Sequence, residues 1–388
     1  MAGACLRAQG GGVSQAHPPS PASFAALAQR ADAARDADHL DAAAKFYRQA
    51  LKLNPGWKEG WWSLGTIDYD NARYAGAMVD FDRLIKLAPT DGTTNLMLGL
   101  CEYEMGLYES SDKHLAAAWK LGIQDAAELE PELLYHRVLI KLRARQFEGA
   151  YEILAHMVRM GMREQKVMVA MGMAVLRMGP GDLPPVGSPG YAVVERVGRA
   201  ESARFSDTYD KARQLYKEAV DSTPDFPRIH YAYGRFLMEI NDPDAAASEF
   251  EAELKLQPKD YNAMLKLAFL DYHKDSAAGI PYAEAALKIV PNDPLAHYLL
   301  GILSLDVGNV DRAMKELEIA RKLAPREPQF AFALGNAYAK ANRREDSLRE
   351  KQAFVALKAA QKEDDSQSND EMKGNAVPGA ANPADGTK

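Results

Sequence analysis

Residues 61–89 read WWSLGTIDYDNARYAGAMVDFDRLIKLAP, and residues 297–325 read HYLLGILSLDVGNVDRAMKELEIARKLAP. Each stretch holds two runs of helical periodicity and stops at a proline, which cannot continue a helix. The prolines recur: Pro55 to Pro89, Pro224 to Pro258 and Pro291 to Pro325 are each 34 apart, with 33 between Pro258 and Pro291. Glycine follows the same period in a second phase, from Gly65 to Gly99 and from Gly301 to Gly335. Alanine does so in a third, at Ala43 and Ala77, Ala212 and Ala246, and Ala286 and Ala320. Three residue types on one period in three phases mark an internal repeat of helical hairpins.

The ladders have a physical reading. A mid-helix glycine costs up to ~1 kcal/mol relative to alanine, which is tolerable where a neighbouring helix approaches the backbone closely. Ala77, Ala246 and Ala313 lie on the second helix, where a small side chain is expected to face that glycine. Phe81, Tyr216 and Phe250 follow one turn later and are large enough to fill the space left open. The unit is a hairpin with a knob and a hole, unable to bury its apolar face except against its neighbours.

At these residues the chain resembles the tetratricopeptide repeat family, whose marks are an aromatic, Leu-Gly, a Tyr, an Ala, an aromatic, an Ala and a Pro. In 61–89 they fall on Trp61, Leu64, Gly65, Tyr69, Ala77, Phe81 and Pro89, with Leu84 in place of the later alanine. In 297–325 they fall on Leu300, Gly301, Ala313, Leu317, Ala320 and Pro325, with His297 in place of the opening aromatic. Further units are expected at 24–55, 92–123, 131–162, 227–258, 261–291 and 328–360. The resemblance implies an all-α, right-handed solenoid of eight or nine stacked antiparallel hairpins. Its Ala-rich, repeat-dense style suggests a bacterial source.

The expected organisation is an N-terminal array over 23–178, a Pro/Gly loop over 179–190 (GPGDLPPVGSPG), and a C-terminal array with a terminal helix over 191–360. Residues 163–203 read either as a degenerate repeat with a long loop or as an extra helix between two arrays. Residues 122–130 lengthen one junction. The ends, 1–22 and 361–388, are rich in Gly, Pro, Ser and charge with few large apolar residues, and are expected to be disordered. Ala2 to Cys5 looks like the end of a lipoprotein cleavage box without its hydrophobic segment, so the compartment stays open between cytoplasm and, if an export signal lies upstream, the periplasm.

The 388 residues carry 47 Lys plus Arg and 54 Asp plus Glu, a net charge of −7 that disfavours a general nucleic-acid footprint. The two cysteines, Cys5 and Cys101, cannot build a disulfide framework, and no run reaches the 18 or so apolar residues of a membrane span. No phosphate loop, dinucleotide glycine fingerprint, nucleophile elbow or zinc-binding His-Glu-x-x-His is present. Seven methionines fall within 157–178, as Met157, Met160, Met162, Met168, Met171, Met173 and Met178. They read as flexible core filler where the repeat is irregular, ahead of thioether binding of Cu(I). No catalytic residue, cofactor or metal site is assigned, and no enzymatic activity is expected.

The functional expectation lies on the first helix of each unit, which in this family lines the concave face where partner peptides lie. Matched unit by unit, the stripe collects Trp62, Leu96, Tyr135, Tyr231, Leu265, Tyr298 and Phe332. One turn on come Arg235, Phe269 and Asn336, followed by Tyr69, Tyr103 and Tyr272. Aromatics and arginine are the residue types enriched at interface centres. The same stripe reads equally as packing between repeats. Asn336 matches one asparagine of the family's carboxylate clamp, but Phe332 stands where its partner lysine would be, which argues against a clamp for chain ends. The expected function is therefore a non-catalytic scaffold holding a protein or peptide in an apolar-aromatic groove. The alternative is an assembly or accessory subunit working through its convex face or its ends. The oligomeric state is left open.

Overall fold

The computed structural model describes residues 23–272 and 274–374. Among the described residues there are nineteen α-helices and no strand, arranged as an all-α repeat solenoid. The chain divides into two compact units, meeting in sequence at Leu183 and Pro184. In the first unit, hairpins are formed by α1 (Phe24–Asp36) with α2 (Leu40–Leu53) and by α3 (Lys58–Asp70) with α4 (Tyr74–Leu87). They continue with α5 (Gly92–Glu104) on α6 (Tyr108–Leu121) and α7 (Glu130–Arg143) on α8 (Phe147–Arg159). A single helix, α9 (Gln165–Leu176), packs on α7 and α8. In the second unit the hairpins are α10 (Pro189–Arg204) with α11 (Tyr209–Ser222), α12 (Ile229–Glu239) with α13 (Pro243–Leu256), and α14 (Tyr261–Asp271) with α15 (Ser276–Ile289). The last two are α16 (Pro294–Asp306) with α17 (Val310–Leu323), and α18 (Pro328–Lys340) with α19 (Arg344–Gly374).

The knob that fills the hole is the large residue one turn after the alanine. A Cβ placed at Gly65 would stand 2.8 Å from Cε1 of Phe81, and one at Gly234 would stand 2.8 Å from Cε1 of Phe250. The large side chain one turn beyond the alanine thus lies over the glycine. Ala77 and Ala246 are buried too, at 0% exposure with Phe81 and Phe250. Absence of a side chain at the glycine is what lets a whole ring lie against the first helix.

Eight of the nine hairpin turns use a device the repeat pattern does not advertise. Asp38, Ala72, Gly106, Arg145, Asp207, Asn241, Gly308 and Asn342 all have φ between 54° and 84°, the left-handed region. Around Ala72, the Arg73 N–H donates to the Asp68 carbonyl and the Ala72 N–H to the Tyr69 carbonyl, at 2.8 Å each. The pair is a Schellman closure that satisfies the last carbonyls of the first helix. The same five-residue step links Asn309 to Ser304 and Arg343 to Tyr338.

A second device fixes the way into the first helix. The Trp61 indole N–H donates to the carbonyl of Pro55, six residues back, at 2.8 Å. His230 and His297 occupy the same repeat position and do the same work: their Nε2 atoms lie 2.8 Å from the Pro224 carbonyl and 3.0 Å from the Pro291 carbonyl. Each Nδ1 in turn meets a carboxylate of the second helix, Glu249 at 2.6 Å and Glu316 at 2.7 Å. The hydrogen bond to Glu249 raises the pKa of His230 above the ordinary histidine value.

The segment around 163–203 is an extra helix followed by a regular hairpin. Val167 to Leu176 of α9 are all buried, and α10 and α11 pair like any other two helices. Of the clustered methionines, Met157, Met168, Met171, Met173 and Met178 are buried, as core filler would be. The terminal helix α19 runs to Gly374, well past the expected boundary at 360. Gln361, Lys362 and Glu363 are good helix formers, and a helix already nucleated extends by one bond per residue fixed. The segments 1–22, including the Cys5 box, and 375–388 lie outside the described residues.

Candidate partner-binding face

In the first unit the expected stripe is largely absorbed by packing. Leu96 is fully buried, in a helix where every residue from Thr94 to Glu102 is buried, and is core rather than groove. Trp62 is half-buried with its ring edge on Phe81, centroids 5.8 Å apart. Tyr69 meets Tyr74 at 5.5 Å, and burial pushes its hydroxyl up to about 12. Tyr103 is held between Tyr108 at 5.5 Å and His136 of the next first helix at 4.6 Å. Tyr135 has the Lys166 ammonium 4.6 Å from its ring centre. His136 and Lys166 were not part of the expected stripe. Neither has a period that would flag it.

The second unit differs. Tyr231 and Leu265, both 8% exposed, are packing residues; Tyr231 lies against Phe250 at 5.6 Å, with the Arg228 guanidinium 4.6 Å over its ring. Beyond them the stripe opens to solvent. Phe269 is 52% exposed and Phe332 is 47% exposed. Phe332 packs against Phe354 at 5.2 Å. Tyr298 is half-buried and stacks on Phe330 of the next first helix, 4.8 Å away, which ties α16 to α18. Arg235 is exposed, Asn336 is half-buried, and Tyr272 is half-buried as the residue that ends α14.

One cation in this face was missed from the sequence. Lys266 is half-buried on α14, and both burial and the nearby Arg235 charge lower its pKa. No acidic side chain among the described residues pairs with it. Its signal was available: it is the sole charged residue between Asp260 and Asp271, inside an otherwise uncharged helix reading YNAMLKLAFL.

Among the described residues, no group of three or more His, Cys, Asp or Glu is placed to hold a metal ion. No helix among the described residues is long and apolar enough to cross a membrane. The perturbed carboxyls are scattered and occupied with packing. Asp80 of α4 is pushed up to about 7 by burial and then by Asp68, which itself is paired with Arg48 and Arg73. Glu253 of α13 is fully buried and also raised, chiefly by burial, while accepting the Tyr231 N–H at 3.1 Å.

Stacked antiparallel hairpins with aromatics on the first helices define a helical-repeat interaction scaffold. Models of the tetratricopeptide repeat match residues 28–92 and 298–353 and, in a second form, residues 206–268, and the chain belongs to that family. Repeats of this family are protein-interaction modules. Among solved structures, MamA from Desulfovibrio magneticus RS-1, from its residue 41 on, is 20% identical over 45% of this chain and 99% of its own, with a TM-score of 0.42. YrrB, described as a TPR protein with an unusual peptide-binding site, is 17% identical over 42% of this chain and 86% of its own, with a TM-score of 0.38. The hetero-tetramer Cut9–Hcn1 of the APC/C is 11% identical over 85% of this chain and 86% of its own, with a TM-score of 0.39. No curated protein sequence matches the chain significantly.

Proposed function

We propose that the chain is a non-catalytic scaffold that holds a protein segment along the first-helix face of its second unit. The observation that carries this is the exposure of Phe269 and Phe332 at equivalent faces of α14 and α18, with the half-buried Tyr298 between them on α16. Large aromatics cost free energy when left in water, about 25 cal/mol per Å² of apolar surface, and a row of them marks a surface kept for a partner. The test is partner capture by the full chain and by the double variant Phe269→Ala/Phe332→Ala. Capture should be lost while helical content and melting temperature stay close to those of the parent. Undiminished capture would overturn the assignment.

The second reading, an assembly subunit using its ends, draws on α19. Leu348 is 61% exposed and Val355 66% exposed, seven residues apart on one face of α19 with Lys351, Gln352 and Ala356 along a shallow surface depression. Leu348→Glu/Val355→Glu should then change the sedimentation coefficient of the chain, and an unchanged value removes this reading.

A further inference from the structure

We propose that His230 is a proton-held latch: as a cation its ring fastens the linker before α12 to α13, and loss of its second ring proton at rising pH frees that linker. The ring stands between two acceptors. Nε2 lies 2.8 Å from the Pro224 carbonyl oxygen, and Nδ1 lies 2.6 Å from Oε2 of Glu249. A neutral imidazole has one N–H and one lone pair, so it donates to one of these oxygens and turns its lone pair on the other. The imidazolium donates to both, with the ionised Glu249 as its counter-charge. His297 makes the same two contacts, with Pro291 and Glu316, so the arrangement belongs to the repeat position.

The unit at Trp61 carries the uncharged version. Its indole N–H, which does not titrate, donates to the Pro55 carbonyl. The acid nineteen residues on, equivalent to Glu249, is Asp80. Without an imidazole at the matching place, Asp80 is pushed up to about 7, by burial first and Asp68 second.

The linker that His230 holds is strained. Arg228, directly before α12, has φ 64°, in the left-handed region, whereas Trp57 and Asp293 lead into α3 and α16 through extended backbone. The Arg228 guanidinium is fixed by Asp260 at 2.8 Å and lies 4.6 Å from the centre of the Tyr231 ring. The charged groups around His230 are therefore Glu249 and Glu253 of α13 and the Arg228–Asp260 pair. The hydrogen bond to Glu249 sets the folded value above the ordinary one. The latch thus contributes in full below the ordinary histidine value and is lost as pH rises through the raised one.

The test is NMR of the full chain with nitrogen-15 in its histidines, the His230 signals being those absent from His230→Trp. The parent should show both ring nitrogens of His230 protonated near neutral pH. As the ring titrates, the amides of 225–229 should exchange with solvent faster than base catalysis alone requires. Glu249→Gln supplies the contrast: its carboxamide donates to Nδ1 while Nε2 donates to Pro224, so the neutral ring is satisfied. In that variant the His230 midpoint should fall by about one pH unit or more, and the extra exchange should vanish. A neutral His230 ring in the parent near neutral pH, or a midpoint unmoved by Glu249→Gln, overturns the latch. Titration without extra exchange over 225–229 overturns the release of the linker. Should Glu249→Gln fail to fold, the ring protonation and amide exchange of the parent decide between these outcomes.

Discussion

Alanine at Gly65 and alanine at Gly335 should shift stability in opposite directions, although both occupy the same repeat position. At Gly65 the new methyl would sit 2.8, 2.9 and 3.1 Å from three atoms of the Phe81 ring, where ordinary contact begins at 3.4 Å. Phe81 is 0% exposed and cannot swing out, so α3 and α4 must part by several tenths of an ångström. Overpacking of this kind costs about 1–3 kcal/mol, against about 1 kcal/mol gained from alanine's helix propensity, for a net loss of up to about 2 kcal/mol. At Gly335 the nearest atom is Cγ of Lys351 at 3.2 Å, on an exposed and flexible side chain that can yield. There the propensity term dominates, for a gain of about 0.5–1 kcal/mol. Urea unfolding followed by circular dichroism measures both, and amide exchange in α3 and α4 localises the first, since stability in such arrays is a sum of unit and neighbour terms. Phe81→Leu should relieve part of the loss in the Gly65→Ala background. Equal stabilisation by both alanines would refute the packing account.

Ala72 sits in the left-handed region at φ 54°, which costs an L-residue about 1–2 kcal/mol, so Ala72→Gly should raise the melting temperature and tighten the α3–α4 turn. Leu96→Ala should destabilise the first unit by about 2–5 kcal/mol, whereas Phe332→Ala, at a site half open to water, should cost under about 1.5 kcal/mol; comparable losses in denaturant titrations would contradict the division between core and face. Asp80, raised to about 7, binds a proton in the fold at pH values where the unfolded chain has lost it. Its contribution is therefore full below about pH 4 and is lost as pH rises through 7, and Asp80→Asn should stabilise the chain by about 1–3 kcal/mol at pH 8 with little effect at pH 4. A stability difference independent of pH would show that Asp80 is not the titrating group.

The hairpins were legible because proline, glycine and alanine each report a backbone event that recurs every 34 residues. The left-handed turn residues were not, because Asp, Ala, Arg, Asn and Gly all fill that position and share no side-chain signal. The stripe was half legible. Leu96 and Phe332 stand at one repeat position, yet one is fully buried and the other nearly half exposed, because burial there depends on the neighbours' bulk. In the first unit α4, α6 and α7 close over α5; in the second, Phe332 lies against Phe354 and keeps 47% of its surface in solvent. Lys266 escaped notice because a repeat-by-repeat alignment compares equivalent positions, and Ala232, Leu299 and Ala333 at its equivalents carry no charge.

The bond from Trp61, His230 and His297 back to a proline carbonyl bears on what a repeat signature encodes. In these three units the position supplies a ring nitrogen at a fixed reach from the preceding linker, whatever the ring. Tryptophan and histidine are then interchangeable words for one instruction, and units scored as degenerate for lacking the aromatic are intact in the property that matters. A search that weighted ring N–H donors six residues after proline would gather such units together. It would also pick out the places where linker length is free to drift: the long junction over 122–130 leads to Leu134 at the corresponding position, which has no donor to hold it.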